Sequence, residues 1–365
     1  MLANLPEGEA SDEVISYQDY LEQCYPRGDD GQRSDEANQN IAALQAAFAK
    51  PGSPGSKFKN QQEKLLKTLG LPKGAKEELG ISGEDGTLKV EESEQEEEKK
   101  KDGDGEESEE LDPKAKAELE AKKFEKKMNA ILFGEGKYFM VPSFFRTLMY
   151  LKKQKKEFSI IFRSFGTELD PVIWEYNKFC SGEHPCFNGR NNTPLVKLDG
   201  SKNSKDMRIS QASQKAVFYR FGDSINESTM VTGNNPRKAS LHEVNQIDED
   251  DDTTIVRDHL DIFQTMIETF KKYGSMAMSE DYPAWDAAGR TNSRAKLLLV
   301  DQADYNTQHI FFDDNADEGD DCIVDVRDVI TGEKVDQGKY MDMYVVKAQP
   351  HRAILESDYF IKMIE

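Results

Sequence analysis

Residues 309–325 read HIFFDDNADEGDDCIVD, in which a short apolar run, Ile310-Phe311-Phe312, empties into the adjacent acids Asp313 and Asp314 and a Gly- and Asp-rich turn. Few folds accommodate that arrangement. Carboxylates held inside a sheet meet a severe desolvation cost, so the acids must emerge where a buried strand ends. An α/β protein does this at the carboxyl edge of its sheet, where ligands and hard cations are met. The feature predicts a buried strand over 310–312 and, beyond it, a turn able to meet Mg2+.

The neighbouring text fits that frame. VPSFFRTLMYLKKQKK (141–156) reads as a helix with Phe144, Phe145, Leu148 and Leu151 inward, and FSIIF (158–162) as a short buried strand. Asp170-Pro171 opens another helix, VIWEYNKF, and AVFYRF (216–221) reads as a strand. DHLDIFQTMIETFKKYG is an amphipathic helix stopped by Gly274; KLLLVD, HIFF and CIVDVRD are strand candidates. MYVVKA and one final helix, RAILESDYFIKMI, follow. Strands alternating with helices over this length predict a Rossmann-like α/β domain, its sheet mainly parallel and covered by helices on both faces.

Upstream the chain is polar with helical patches. Tyr17, Tyr20, Leu21 and Cys24 share one spacing; Ile41, Leu44, Ala47 and Phe48 share another. PGSPGS (51–56) interrupts, and KFKNQQEKLLKTLG resumes a helix that Gly70 and Pro72 would stop. Residues 76–111 have the composition of disorder, and Asp112-Pro113 then opens a helix running to about Gly134. The division expected is a helical region over 1–75, an acidic linker over 76–111 and an α/β domain over 112–365.

The formal net charge is -21, which argues against nucleic acid or an anionic membrane as bulk partner. The excess is uneven: residues 91–111 carry twelve acids and three bases, so -9 lies in that one segment. Asp248-Glu249-Asp250-Asp251-Asp252 adds a second acidic knot. Cys24, Cys180, Cys186 and Cys322 suggest no disulfide framework, and no apolar stretch follows Met1 as a signal peptide would require. No apolar run approaches the roughly 18 residues of a membrane span. A cytoplasmic chain is expected.

Other constellations have plainer readings. Cys180, His184 and Cys186 (CSGEHPC) offer zinc-ligand types at a spacing that fits no common knuckle, so a packed turn is expected. An EF-hand counted from Asp314 places Ala316 in a ligand slot. Arg237-Lys238-Ala239-Ser240 is a candidate kinase site. No G-x-S-x-G elbow, G-x-G-x-x-G or Walker loop is present. Arg163-Ser164-Phe165-Gly166 ends its strand with a hydroxyl and backbone N–H groups that can hold a phosphate oxygen, or, more plainly, with a capping Ser.

In order along the chain, the helix–strand–RSFG element, Lys296 in SRAKLLLVD and the Asp313-Asp314 turn resemble the second, third and fourth motifs of the haloacid dehalogenase-like (HAD-like) superfamily of phosphohydrolases. FRSFGTELDPVIWEYNKF and IFFDDN are similar to an uncharacterised protist-type branch of it. The resemblance covers roughly residues 138–365 and, more faintly, 14–70. It implies that Ser164 and Lys296 bind phosphate and that Asp313 and Asp314 bind Mg2+. A phosphorylated small molecule or protein partner is implied as well.

The chain departs from that family in one central respect. The first motif, an apolar strand ending in Asp-x-Asp-x-Thr, supplies the nucleophile, and no such strand lies upstream of residue 142. The one matching string, Asp250, Asp252 and Thr254, follows NQIDE and reads as a solvated acidic loop; GEDGTL (83–88) lacks the strand. Lys296 also runs directly into LLLV, which reads as a strand, whereas the family's Lys usually opens a helix. No catalytic residue is assigned. The leading expectation is a catalytically deficient relative acting by binding, with a weak Mg2+ site at Asp313 and Asp314. The alternatives are a Mg2+-dependent phosphohydrolase whose nucleophile strand is missing from this chain, since MLANLPEGEASDEVISYQDY resembles the region after that strand, and an adaptor working through its acidic segment.

Overall fold

A computed structural model describes residues 17–26, 33–81, 113–190, 192–201, 204–221, 224–234, 253–317 and 323–365. Two units divide after Lys67.

The first unit carries α1 (Tyr17–Cys24) and α2 (Asp35–Ala47), and α3 (Lys59–Leu69) leads out of it. Ser34 caps α2, its hydroxyl accepting the Ala37 N–H at 3.2 Å, with Asp35 and Glu36 in the first turn. Leu21 and Ala49 are buried, and the Phe48 ring meets Tyr17 and Phe58 at centroid distances of 4.6 and 6.4 Å. Gly55 allows this packing: a Cβ there would lie 2.3 Å from the Phe48 ring.

The second unit begins with α4 (Lys73–Glu78) and α5 (Pro113–Phe133). Ala75 and Ile81 are buried with Leu71, Leu132 and Phe133, so ordered packing extends into the start of the acidic linker expected over 76–111. The rest of that linker, GEDGTL, Arg237 to Ser240, and Asp250 with Asp252 lie outside the described residues. Thr254, read as part of a loop, opens a strand.

Beyond α6 (Pro142–Lys153), β1 (Ile160–Ser164) and α7 (Leu169–Ser181) come β2 (Lys215–Arg220), β3 (Ser228–Thr232) and β4 (Thr254–Arg257). Next are α8 (His259–Lys272), β5 (Ser275–Glu280), α9 (Tyr282–Ala287), β6 (Lys296–Val300), β7 (Phe311–Asp313) and β8 (Val324–Asp328). Helix α10 (Gln337–Tyr340), β9 (Val345–Lys347), α11 (Pro350–Leu355) and α12 (Tyr359–Ile364) close the chain. The single final helix expected is two, α11 and α12.

The protein is a mixed α/β structure. Five strands form one sheet in the order β1-β5-β2-β3-β4. Strands β1, β5 and β2 are parallel, with Ile160 opposite Ser275 and Lys215 opposite Ala277, whereas β2, β3 and β4 run antiparallel. The expectation of a mainly parallel sheet is corrected on that side. Only residues 221–227 separate β2 from β3, too short for the crossover of about a dozen residues that parallel neighbours need. Strands β6 and β8, and β7 and β9, form separate parallel pairs.

Helices cover both faces of the sheet. Phe145 and Leu148 of α6 and Tyr176 and Phe179 of α7 pack with Ala277, Ile160 and Phe162 on one face. On the other, Ile262, Met266 and Phe270 of α8 pack with Met276, Met278, Phe218 and Ile161, joined by Leu297 and Leu299 of β6. Gly274, at φ +80, ends α8 and turns the chain into β5. A third cluster joins Val300, Val324, Val326, Tyr340 and Val345 to Phe165, Phe311 and Trp285. Among the described residues no helix is long and apolar enough to cross a membrane.

Candidate functional site

Three elements end at one corner. Ser164 closes β1, Lys296 opens β6 and Asp313 closes β7. Lys296 thus starts a strand, as its sequence context suggests. Its Nζ donates to Asp313 Oδ2 at 2.7 Å, and both residues are buried. The ammonium also lies 5.2 Å from the centroid of Phe165, which directly follows Ser164, and 5.8 Å from that of Phe311. Two aromatic faces and one carboxylate therefore surround a single positive charge. Phe165 is fixed by stacking on Trp285, at 4.7 Å and 15°.

Asp313 has little capacity left. Its Oδ1 accepts the Asn315 N–H at 2.9 Å, and its carbonyl accepts the Ala348 N–H at 2.9 Å. Asp314 is exposed, and its Oδ1 accepts from the Asn315 side chain at 3.3 Å. The two acids are adjacent in sequence but differently placed: one is buried and ion-paired, the other faces water. Mg2+ would find a ready carboxylate in Asp314 and would have to displace Lys296 to use Asp313. Among the described residues no group of three or more His, Cys, Asp or Glu converges as a metal cage.

Ser164 sits in the capping turn that was its plainer reading. Its Oγ accepts the Gly166 N–H at 2.8 Å and donates to Glu168 Oε2 at 3.1 Å. The Glu168 carboxylate covers the turn so closely that a Cβ on Gly166 would lie 2.1 Å from it. An incoming phosphate would meet a negative charge there, and Glu168 would have to swing aside.

Two buried ion pairs beside the corner escaped the sequence reading. Arg163 Nε donates to Glu280 Oε1 at 2.6 Å, and its Nη1 donates to the Leu297 carbonyl at 2.7 Å, tying β1 to β5 and β6. Arg220, at the end of β2, lies 2.9 Å from Asp325 Oδ2 on β8, and Arg327 Nε donates to the same carboxylate at 2.9 Å. Burial lowers the Arg220 pKa and raises that of Asp281, the cap of α9. The only sequence signal for these pairs is a charged residue at or beside a strand's end.

The CSGEHPC turn is packed. His184 Nε2 lies 3.1 Å from Glu175 Oε1, and His184 Nδ1 accepts the Cys186 N–H at 3.1 Å. Glu175, fully buried, also accepts the Met140 N–H at 2.8 Å, and burial raises its pKa. Burial pushes the thiols of Cys180 and Cys186 up to about 12. Compared with family models, curated proteins and solved structures, the chain matches none of them.

Proposed function

We propose that this chain is a HAD-like, Rossmann-type α/β domain that acts by binding rather than by turnover. Its residual site is the corner of Ser164, Lys296, Asp313 and Asp314, its cation Mg2+, and its ligand a phosphorylated small molecule or protein partner. The observation that carries this reading is the buried Lys296–Asp313 pair, 2.7 Å long. It supports self-neutralisation: the Lys that would hold phosphate and the Asp that would hold metal satisfy one another. Neither charge is then free to stabilise a transition state. Among the described residues the elements ahead of β1 are all helices, and none of them brings an acid at a strand end to the corner.

The pair also implies a ligand that opens the site by binding to both halves at once. A Mg2+–phosphate complex does so, because phosphate draws Lys296 away while the metal takes Asp313 and Asp314. Neither ion alone offers that exchange. The test is a Mg2+-dependent phosphatase assay with p-nitrophenyl phosphate, alongside calorimetric titration with Mg2+ and phosphate together. The expectation is binding without turnover. Turnover that Asp313→Asn abolishes would overturn the proposal in favour of a phosphohydrolase.

A further inference from the structure

Among the described residues two strand edges have no partner strand. β1 stands at the end of the five-stranded sheet, and β7 has only β9 beside it. Parallel strands are ordinarily buried within larger sheets, and an isolated pair is marginal. The ladders show which backbone groups face outward. Ile160 N–H donates to the Gly274 carbonyl at 2.9 Å, so Ile160, Phe162 and Ser164 turn their amides to β5 while Ile161 and Arg163 turn theirs away. Phe311 N–H donates to the Tyr344 carbonyl at 2.7 Å, and Asp313 O accepts from Ala348 N–H. Phe312 therefore turns its amide and carbonyl away from β9.

The two open edges share one layer. Phe162 packs on Phe144 of α6, Phe312 packs on Phe360 of α12, and α12 packs on α6. On the opposite face the Arg163 guanidinium lies 5.5 Å from the Phe311 ring centroid. Lys296 sits by the carboxyl ends of both strands, next to Phe165 and Asp313. β1 also differs from its sheet partners in burial. Every residue of β3 and β5 is buried, but all five of β1 are only half-buried, although it begins Ile-Ile-Phe.

We propose that the edges of β1 and β7 receive an extended strand of a separate polypeptide, running parallel to both, with acidic residues preceding a short apolar run. This rests on the reading that the domain works by binding. The strand should be apolar on both sides because helices cover one face and β6 the other. Its acidic flank follows from charge. A parallel strand enters beside the amino end of β1, where Lys152, Lys153, Lys155 and Lys156 are exposed and Glu157 is the one acid within residues 151–159. Residues 1–16, 82–112 and 235–252 contain no run of three consecutive large apolar residues to match the Ile-Ile-Phe of β1. Backbone pairing along two edges supplies the affinity, and the apolar side chains supply the selectivity.

Amide hydrogen exchange tests this residue by residue on the full chain. In the free protein the amides of Ile161, Arg163 and Phe312 should exchange on the order of a hundredfold faster than those of Met276 and Ala277, which are paired in the sheet interior. A synthetic peptide of three acidic residues followed by five alternating Val and Ile should slow all three by roughly tenfold or more. The same peptide with Pro at its central position should not. Equal protection in the free chain, or no slowing by the first peptide, overturns the proposal. Slowing that grows with protein concentration alone makes a second copy the occupant and overturns it too. The exchange is measured without Mg2+ or phosphate, so the result stands apart from the fate of the Lys296–Asp313 site.

Discussion

Two buried ion pairs stand a few residues apart and differ in kind. Arg163 and Glu280 join β1 to β5, and the guanidinium makes a further bond to the Leu297 carbonyl. Lys296 and Asp313 join β6 to β7, and the ammonium is otherwise faced by the rings of Phe165 and Phe311. A guanidinium is a rigid fork that two acceptors hold in place, whereas an ammonium is a point charge on a flexible stem. The first cation is held by two acceptors, whereas the second has one carboxylate and two aromatic faces. If the proposed reading holds, the first pair serves the fold and the second serves binding.

The largest expected effect tests the structural side. Glu280→Ala leaves Arg163 buried without its carboxylate and should cost about 3–5 kcal/mol of unfolding free energy in urea. Asp325→Ala strands Arg220 in the same way and should fall in the same range. Losses below about 1 kcal/mol would make these pairs ordinary surface contacts.

Lys296→Met should cost about 2–3 kcal/mol in chelator, because Asp313 remains buried with one hydrogen bond fewer. Unlike the Glu280 loss, this one should be partly restored by Mg2+, seen as a melting temperature that rises with Mg2+ in the variant more than in the parent. No difference in that rise would put Lys296–Asp313 in the same class as Arg163–Glu280.

Glu175 gives a pH-dependent contrast within the core. Burial raises its carboxyl pKa above the ordinary 4.5. Its favourable contribution is therefore complete below that value and is lost as pH rises through the folded pKa. Unfolding midpoints of the parent should include such a decline as pH rises above about 4.5, and Glu175→Gln should lack that component. A parallel decline in both proteins would remove Glu175 as its source.

Smaller effects mark the surface. Cys180 and Cys186, with thiols pushed up to about 12, should resist iodoacetamide at pH 7.5 while the half-buried Cys24 reacts, read by peptide mass mapping. Asp314→Asn should change stability by no more than about 0.5 kcal/mol, since the side chain is exposed.

Much of the corner is legible in the sequence because short apolar runs announce their strands. IIF, KLLLV and IFF locate β1, β6 and β7, and the polar residues flanking them include Ser164, Lys296 and Asp313. β5 escapes that reading. SMAMSE is only half apolar, yet it is wholly buried, with the Ser275 hydroxyl donating to the Met207 carbonyl. β3, written STMVT, is hidden for the same reason. The antiparallel side of the sheet, β3 with β4, is thus the part hidden from the sequence, whereas β5 pairs parallel with β1 and β2. The pairing of Lys296 with Asp313, and the covering of Ser164 by Glu168, depend on how elements pack rather than on local spacing. The acids were legible, but not their partners.

Calorimetric titration of Mg2+ into the parent chain and into Lys296→Met tests most directly whether this pair closes the site. Lys296 competing for Asp313 predicts weak binding to the parent, Kd above about 1 mM, and at least roughly tenfold tighter binding to the variant. Equal affinity in the two proteins would contradict it, and Asp313 would then be no part of a Mg2+ site that Lys296 holds shut.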